Sequence, residues 1–277
     1  MRMLSRIVPL VACAVVLSAC DVIQLAAQTE RARGSFERTL AVTGPVDLRV
    51  RTGSGDIQIR TEDGARVHIV GRVSAGASQW GSESAAERVK EVEAAPPIVQ
   101  EGNVITIGDT QGDRRRYNNV SITYELVVPP NTEVSAQTGS GDQIIGSVNG
   151  GVRAQTGSGT IRIDRTGGSL DAKTGSGDIR ALAVGGAVRA QTGSGDVDVR
   201  QTVRSDVHVR TGSGDVTVSL PADAAYSLDA RTGSGSISTA HPITMQGRVR
   251  RNHVRGTVRG GGNVVRVQTG SGSVDIR

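Results

Sequence analysis

The tetrapeptide Thr-Gly-Ser-Gly recurs along this chain, beginning at Thr52, Thr138, Thr156, Thr174, Thr192, Thr211, Thr232 and Thr269. Successive copies lie 86, 18, 18, 18, 19, 21 and 37 residues apart. A period fixed near 18 is the mark of a solenoid, in which no coil is stable alone and stacked neighbours share one core. The residues four and two places before each Thr are apolar, from Leu48 and Val50 in the first copy to Val265 and Val267 in the last. A second apolar pair lies five and seven places after the Thr in most copies, as in Ile57 with Ile59 and Ile161 with Ile163. Alternation of period 2 is a strand with one face inward, so each coil is predicted to hold two short strands joined at the Gly-Ser-Gly corner. Glycine suits that corner because it takes positive φ freely and leaves room as coils stack about 4.8 Å apart. The fold class that follows is all-β, a parallel β-solenoid with about 18 residues per coil over residues 36–277. Only five of the 277 residues are aromatic while 37 are Gly, so its interior must be narrow and its stability must come from coil number.

Two stretches interrupt the period. Around residues 79–95, Ser84-Ala85-Ala86-Glu87 forms a capping-box start and Pro96-Pro97 a stop, which predicts one amphipathic helix inserted in the N-terminal coils to cover an edge or end of the solenoid. Residues 246–262 carry Arg248, Arg250, Arg251, Arg255 and Arg259 and close on three glycines, which reads as a basic hairpin or loop projecting from the last coils. These five arginines form a candidate ligand-contacting surface.

The first 19 residues read as a removable leader. A basic start through Arg6 precedes an apolar run from Ile7 to Leu17, the length of a secretory signal and too short to span a bilayer. It ends in Leu17-Ser18-Ala19-Cys20, which resembles a bacterial lipobox, with the Cys20 thiol as the group that is lipidated. The other cysteine, Cys13, lies inside the leader, so the mature chain has no internal disulfide. Residues 20–35 then read as the lipidated cysteine and a flexible tether. The expected location is the bacterial cell envelope, with the membrane reached through the anchor at Cys20.

The repeated Thr-Gly-Ser-Gly-Asp units, the preceding strand from Tyr124 to Pro129, and a tail of the form Gly247-Arg-Val-Arg, Arg255-Gly-Thr, Gly260-Gly-Gly and Thr269-Gly-Ser-Gly-Ser resemble the bacterial adhesin-like β-strand-repeat family. The resemblance covers about residues 36–277. It implies the fold and carries no catalytic or binding residues, because none is settled for that family.

Several chemistries fit the residues poorly. Gly-Ser-Gly-Asp resembles the unit of calcium β-rolls, but the position after the second Gly is Asp at residues 56, 142, 178, 196 and 215 and Thr160, Ser236 and Ser273 elsewhere. A hard cation wants 6 to 8 oxygens, so no metal or other cofactor is expected, and Asx-type bonding to the backbone is the alternative use of those aspartates. A formal charge of +5, spread as arginines among acids, is too mild for a nucleic-acid partner. The outward row three places before the Thr runs Ser135, Arg153, Asp171, Arg189, His208, Asp229 in chain order, which suggests ladders that neutralise one another. The row just before the Thr is Arg51, Gln137, Gln155, Lys173, Gln191, Arg210, Arg231 and Gln268, never acidic, and reads as a mild anion or glycan surface. The four histidines are dispersed, and only Trp80, Tyr117, Tyr124 and Tyr226 are available to stack on sugar, so no enzyme is expected. The functional expectation is a lipid-anchored structural or adhesin-like scaffold with an envelope glycan or protein as partner. The alternative is a periplasmic envelope-stress or partner-binding scaffold.

Overall fold

Alternating apolar and polar side chains lay most of the described residues out as strands, in a computed structural model that describes residues 31–76, 84–108, 117, 119–245 and 251–277. The N-terminal part holds β1 (Ala32–Ala41), β2 (Val46–Ser54), β3 (Ile57–Thr61), β4 (Arg66–Ala75), helix α1 (Ala85–Ala94), β5 (Ile98–Glu101), β6 (Val104–Ile107) and β7 (Val120–Val128). Regular coils of two strands follow: β8 (Thr132–Ser140) with β9 (Gln143–Val148), β10 (Val152–Ser158) with β11 (Ile161–Thr166), β12 (Leu170–Ser176) with β13 (Ile179–Val184), β14 (Val188–Ser194) with β15 (Val197–Gln201), and β16 (Val207–Ser213) with β17 (Val216–Ser219). The C-terminal part holds β18 (Tyr226–Ser234), β19 (Ile237–Thr239), β20 (Thr244–Met245), β21 (His253–Val258), β22 (Asn263–Ser271) and β23 (Val274–Ile276).

The coils stack into two long sheets. One runs β1-β4-β7-β3-β9-β11-β13-β15-β17-β23-β19 and the other β20-β21-β18-β22-β16-β14-β12-β10-β8-β2-β6-β5. Neighbouring coils pair in parallel with Thr opposite Thr, as Thr138 with Thr156 and Thr192 with Thr211. The core is the thin layer between the two sheets, lined by alanines such as Ala136, Ala154, Ala172 and Ala190 from one and by Ile145, Ile163, Ala181 and Val199 from the other.

Stacking order departs from chain order at both ends. The coil β2–β3 lies between β6–β7 and β8–β9, and the last coil, β22–β23, lies between β16–β17 and β18–β19. Val265 therefore pairs with Val207 on one side and Leu228 on the other. Every copy of the motif presents the same register, so nothing in the repeat itself specifies which coil lies beside which.

The motif residues divide the work at the corner. Every motif Thr but Thr52 is buried, and its hydroxyl donates to the second-Gly carbonyl of the coil stacked on it toward the N-terminal end, Thr156 to Gly141 at 3.1 Å and Thr174 to Gly159 at 3.0 Å; the half-buried Thr52 donates to the Ile122 carbonyl at 3.0 Å instead. The second Gly sits at φ between 129° and 143° in every copy, and a Cβ there would come within 2.4 Å of a carbonyl oxygen of the adjacent strand. The aspartates after it bond to the backbone of the next coil rather than to their own turn. The Asp56 carboxylate accepts from the Asp142 N–H at 2.9 Å, Asp142 from Thr160 at 2.7 Å, Asp178 from Asp196 at 3.0 Å and Asp196 from Asp215 at 2.8 Å. The ladder adds one charge-assisted bond at each step that starts from an Asp and is interrupted after Thr160.

At the N-terminal end β1 pairs along its whole length with β4, from Ala32 opposite Ala75 to Ala41 opposite Arg66. Residues 32–35, expected to finish the tether, are thus strand. Their inward positions are Ala32 and Gly34, too small to mark a strand in the sequence. Gly34 leaves space for α1, since a Cβ there would fall 2.5 Å from Val89 Cγ1. The Ser35 N–H donates to Glu93 at 2.7 Å. The helix begins at the expected capping box, with Ser84 and Glu87 bonded to each other's backbone, and buries Ala85, Arg88, Val89 and Val92. These bonds hold the Glu87 carboxyl below the usual range. Residues 79–83 of the expected helical stretch lie outside the described residues.

Two of the aromatic side chains thought available to sugar are core instead. Tyr124 packs edge-on against Phe36 at 6.4 Å near the N-terminal end, and burial pushes its phenol pKa up. Tyr226 packs against His241 near the other end, its hydroxyl 3.0 Å from Nδ1. Both rings are about 1% exposed, which excludes them from stacking on a ligand. Trp80 lies outside the described residues.

Candidate binding face

The outer face of the sheet containing β2, β8, β10, β12, β14, β16, β22, β18 and β21 carries the polar columns of the repeat. Its two halves differ in charge. Toward the N-terminal end acids and bases pair off: Arg49 with Asp47 at 2.6 Å, and Asp171 with both Arg153 at 3.7 Å and Lys173 at 3.6 Å. Asp47, Arg49, Glu133, Ser135, Arg153 and Asp171 help line a shallow concavity of about 330 Å³ there.

The other half is basic. Because β22 inserts between β16 and β18, the row three places before the Thr runs Arg189, His208, Arg266, Asp229 in space. The alternation of sign expected from chain order is therefore broken by Arg266, which follows Asp229 in the chain but precedes it in the stack. The strand β21 then pairs antiparallel with β18 and sets Arg255 opposite Asp229 and His253 opposite Arg231. The row just before the Thr continues as Gln191, Arg210, Gln268, Arg231 in space. Arg189, Arg210, Arg266, Arg231 and Arg255 are all exposed. They fall one per strand on β14, β16, β22, β18 and β21, alternating between the two rows.

Asp229 is the only acid within these two rows on the five strands. Burial raises its carboxyl pKa, but hydrogen bonds from Arg231 and His253, each 3.0 Å long, outweigh that and hold it below the usual aspartate range. Arg266 approaches it at 3.9 Å. Arg210 donates to the Gln268 side-chain oxygen at 2.8 Å, turning the Gln268 amide N–H₂ away from that bond.

The described part of the basic stretch, residues 251–262, does not project. It forms β21, which covers the edge of β18, and β21 in turn pairs with β20. The physical reason is the alternation Val254, Gly256, Val258, which faces inward opposite Ala230, Leu228 and Tyr226. Of the five arginines named there, Arg251 is exposed in the turn before β21 and Arg255 joins the face just described. Arg259, at φ 48°, folds back to donate to the Ala222 and Ala224 carbonyls and so serves the loop rather than the face. Arg248 and Arg250 lie outside the described residues, as does Cys20.

Among the described residues no group of three or more His, Cys, Asp or Glu side chains gathers to hold a metal, and no helix is long and apolar enough to cross a membrane. The outward aspartate ladder is committed to backbone bonds. What the face can do chemically is present guanidinium forks and amide groups at fixed spacing.

Residues 39–277 match the family described as Toastrack DUF4097, and the chain belongs to that family. Two solved structures are similar in part. One is a "putative cell adhesion protein" from Clostridium sporogenes, 15% identical, with a TM-score of 0.34, covering 88% of this chain and 99% of the other. The second is a "putative adhesin" from Bacteroides fragilis, 11% identical, with a TM-score of 0.33, covering 88% of this chain and 97% of the other. No curated protein matches.

Proposed function

We propose that this chain is a lipid-anchored scaffold of the bacterial cell envelope that binds a partner through the outer face of its solenoid and catalyses no reaction. The carrying observation is that face: exposed polar columns repeated coil after coil, held in register by buried Thr and backbone bonds. A surface fixed in this way loses little freedom on binding an extended partner. The anchor reading rests on Leu17-Ser18-Ala19-Cys20 and the apolar run before it.

Two measurements test it. Labelled palmitate should enter the full chain and be lost in C20S; label retained in C20S would overturn the anchor. Protease shaving of intact cells, with lysed cells as control, then separates two positions. Digestion in intact cells places the solenoid at the surface, where an adhesive role follows. Protection until lysis makes it a periplasmic partner-binding scaffold, and a cytoplasmic location would overturn the proposal.

A further inference from the structure

The basic half of the face has a geometry that chain order alone does not contain. Five arginines from β14, β16, β22, β18 and β21 form a zigzag across adjacent strands, one per strand step of about 4.8 Å, for a total reach near 20 Å. Each sits on a hydrogen-bonded strand, so the sheet sets where each side chain leaves the backbone and the face it leaves from. Gln191 and Gln268 stand between them in the second row. In the N-terminal half of the same face, built from the same repeat, Arg49, Arg153 and Lys173 are each ion-paired to Asp47 or Asp171. The contrast marks the C-terminal half as the part with charge left for a partner.

We infer that this half binds an extended anionic polysaccharide bearing carboxylates, laid across the strands so that successive sugar carboxylates meet successive arginines. Guanidinium groups pair with carboxylates through two parallel hydrogen bonds, and the intervening amides suit sugar hydroxyls. A single-stranded nucleic acid would need aromatic platforms for its bases, and the outward positions of these five strands carry no Trp, Tyr or Phe, only the half-buried His208 and His253. A lipid surface would favour exposed apolar side chains beside the charges. Val99, Ile144, Leu182, Val203 and Met245 are the exposed large apolar residues among those described, and none lies at these positions. The inference deepens the scaffold proposal by naming the partner class and the half of the face that holds it.

The test is a binding titration of the full chain in nonionic detergent with polygalacturonate, neutral dextran and single-stranded DNA, and of the full chain in neutral-lipid nanodiscs free of detergent with anionic lipid vesicles. Polygalacturonate should bind and dextran should not. Raising salt from 50 to 200 mM should weaken binding tenfold or more, as expected when several charges are neutralised at once. The variant R189Q/R210Q/R255Q should lose at least tenfold. R49Q/R153Q/K173Q, which removes as many charges from the paired half, should stay within twofold of the parent. R189Q and R255Q singly, each at an exposed position, should each lose a few fold and carry the test if the triple variant melts early. Absence of polygalacturonate binding at 50 mM salt, equal loss in the two triple variants, or tighter binding to DNA or vesicles would each overturn the inference. The palmitate and shaving results do not depend on this titration, so failure here leaves the envelope reading standing, and the reverse holds too.

Discussion

At the scale of single residues, the corner glycines show how closely coils approach. A Cβ on Gly157 would lie 2.5 Å from the Gly139 carbonyl oxygen, whereas a Cβ on Gly53 would meet nothing within 4 Å. Both are the first Gly of the motif, and neither has positive φ. G157A should therefore lower stability by about 1–3 kcal/mol through overpacking, while G53A should shift it by no more than about 0.5 kcal/mol. Denaturant melts of the two variants read the difference, and equal losses would contradict the stacking. Gln143 is a second case. It occupies the inward position held by Ile57 and Ile161 in the flanking coils and is fully buried. Its amide donates to the Gln155 carbonyl at 2.6 Å, while its side-chain oxygen has no partner. Q143I should raise stability by about 1 kcal/mol, because a buried acceptor without a donor is costly; lowered stability would show that the Gln155 bond matters more. The repeat makes this exception legible, since a polar residue takes the first place of the apolar pair at that copy alone, but its hydrogen bond is not.

At the scale of elements, the regular strands were legible because inward Val, Ile, Leu and Ala recur at fixed distances from each Thr. The terminal strands lack that frame. The start of β1 is not legible because Ala32 and Gly34 carry no apolar signature, and it is held by pairing with β4 over ten residues. β21 reads in sequence as a projecting hairpin because arginines dominate the stretch around it, although its inward side, Val254, Gly256 and Val258, fits the edge of β18. The bonds joining these strands have a pH consequence. Asp229 is ionised more readily in the folded chain than when unfolded, because Arg231 and His253 bond its carboxylate. A group with a depressed folded pKa contributes stability above its unfolded value near 3.9 and loses it as pH falls through the folded value. Acid melts should accordingly show a shallower fall in Tm for D229N than for the parent below that range, with D229N the less stable near neutrality. Parallel curves displaced by a constant amount would remove the linkage.

At the scale of the whole molecule, the period announced the solenoid and hid the order of its coils. The gap of 37 before Thr269 is close to two periods and invites a missing coil, yet the intervening strands β20 and β21 turn the chain back so that β22–β23 enters between coils already passed. The basic zigzag depends on that return, which is why only part of the candidate face could be read from the sequence. Engineered cysteines check it directly. Arg210 and Gln268 face each other on adjacent strands, as do Gln268 and Arg231. R210C/Q268C should therefore form a disulfide under oxidation. R210C/R231C, two strand steps apart at about 9.6 Å, should not, because bridged Cα atoms lie within about 7 Å. The reverse pattern on non-reducing gels would restore stacking in chain order.

The interleaved ends also limit how such a molecule can change over evolutionary time. Duplicating or deleting a coil between β8 and β17 only lengthens or shortens the stack, because there each unit sits beside the one made just before it. Copying β22–β23 would ask two segments to occupy one slot, and deleting it would open a gap flanked by two bare strand edges. Repeat number is thus free to drift in the middle of the chain, while each end must be inherited as a single piece.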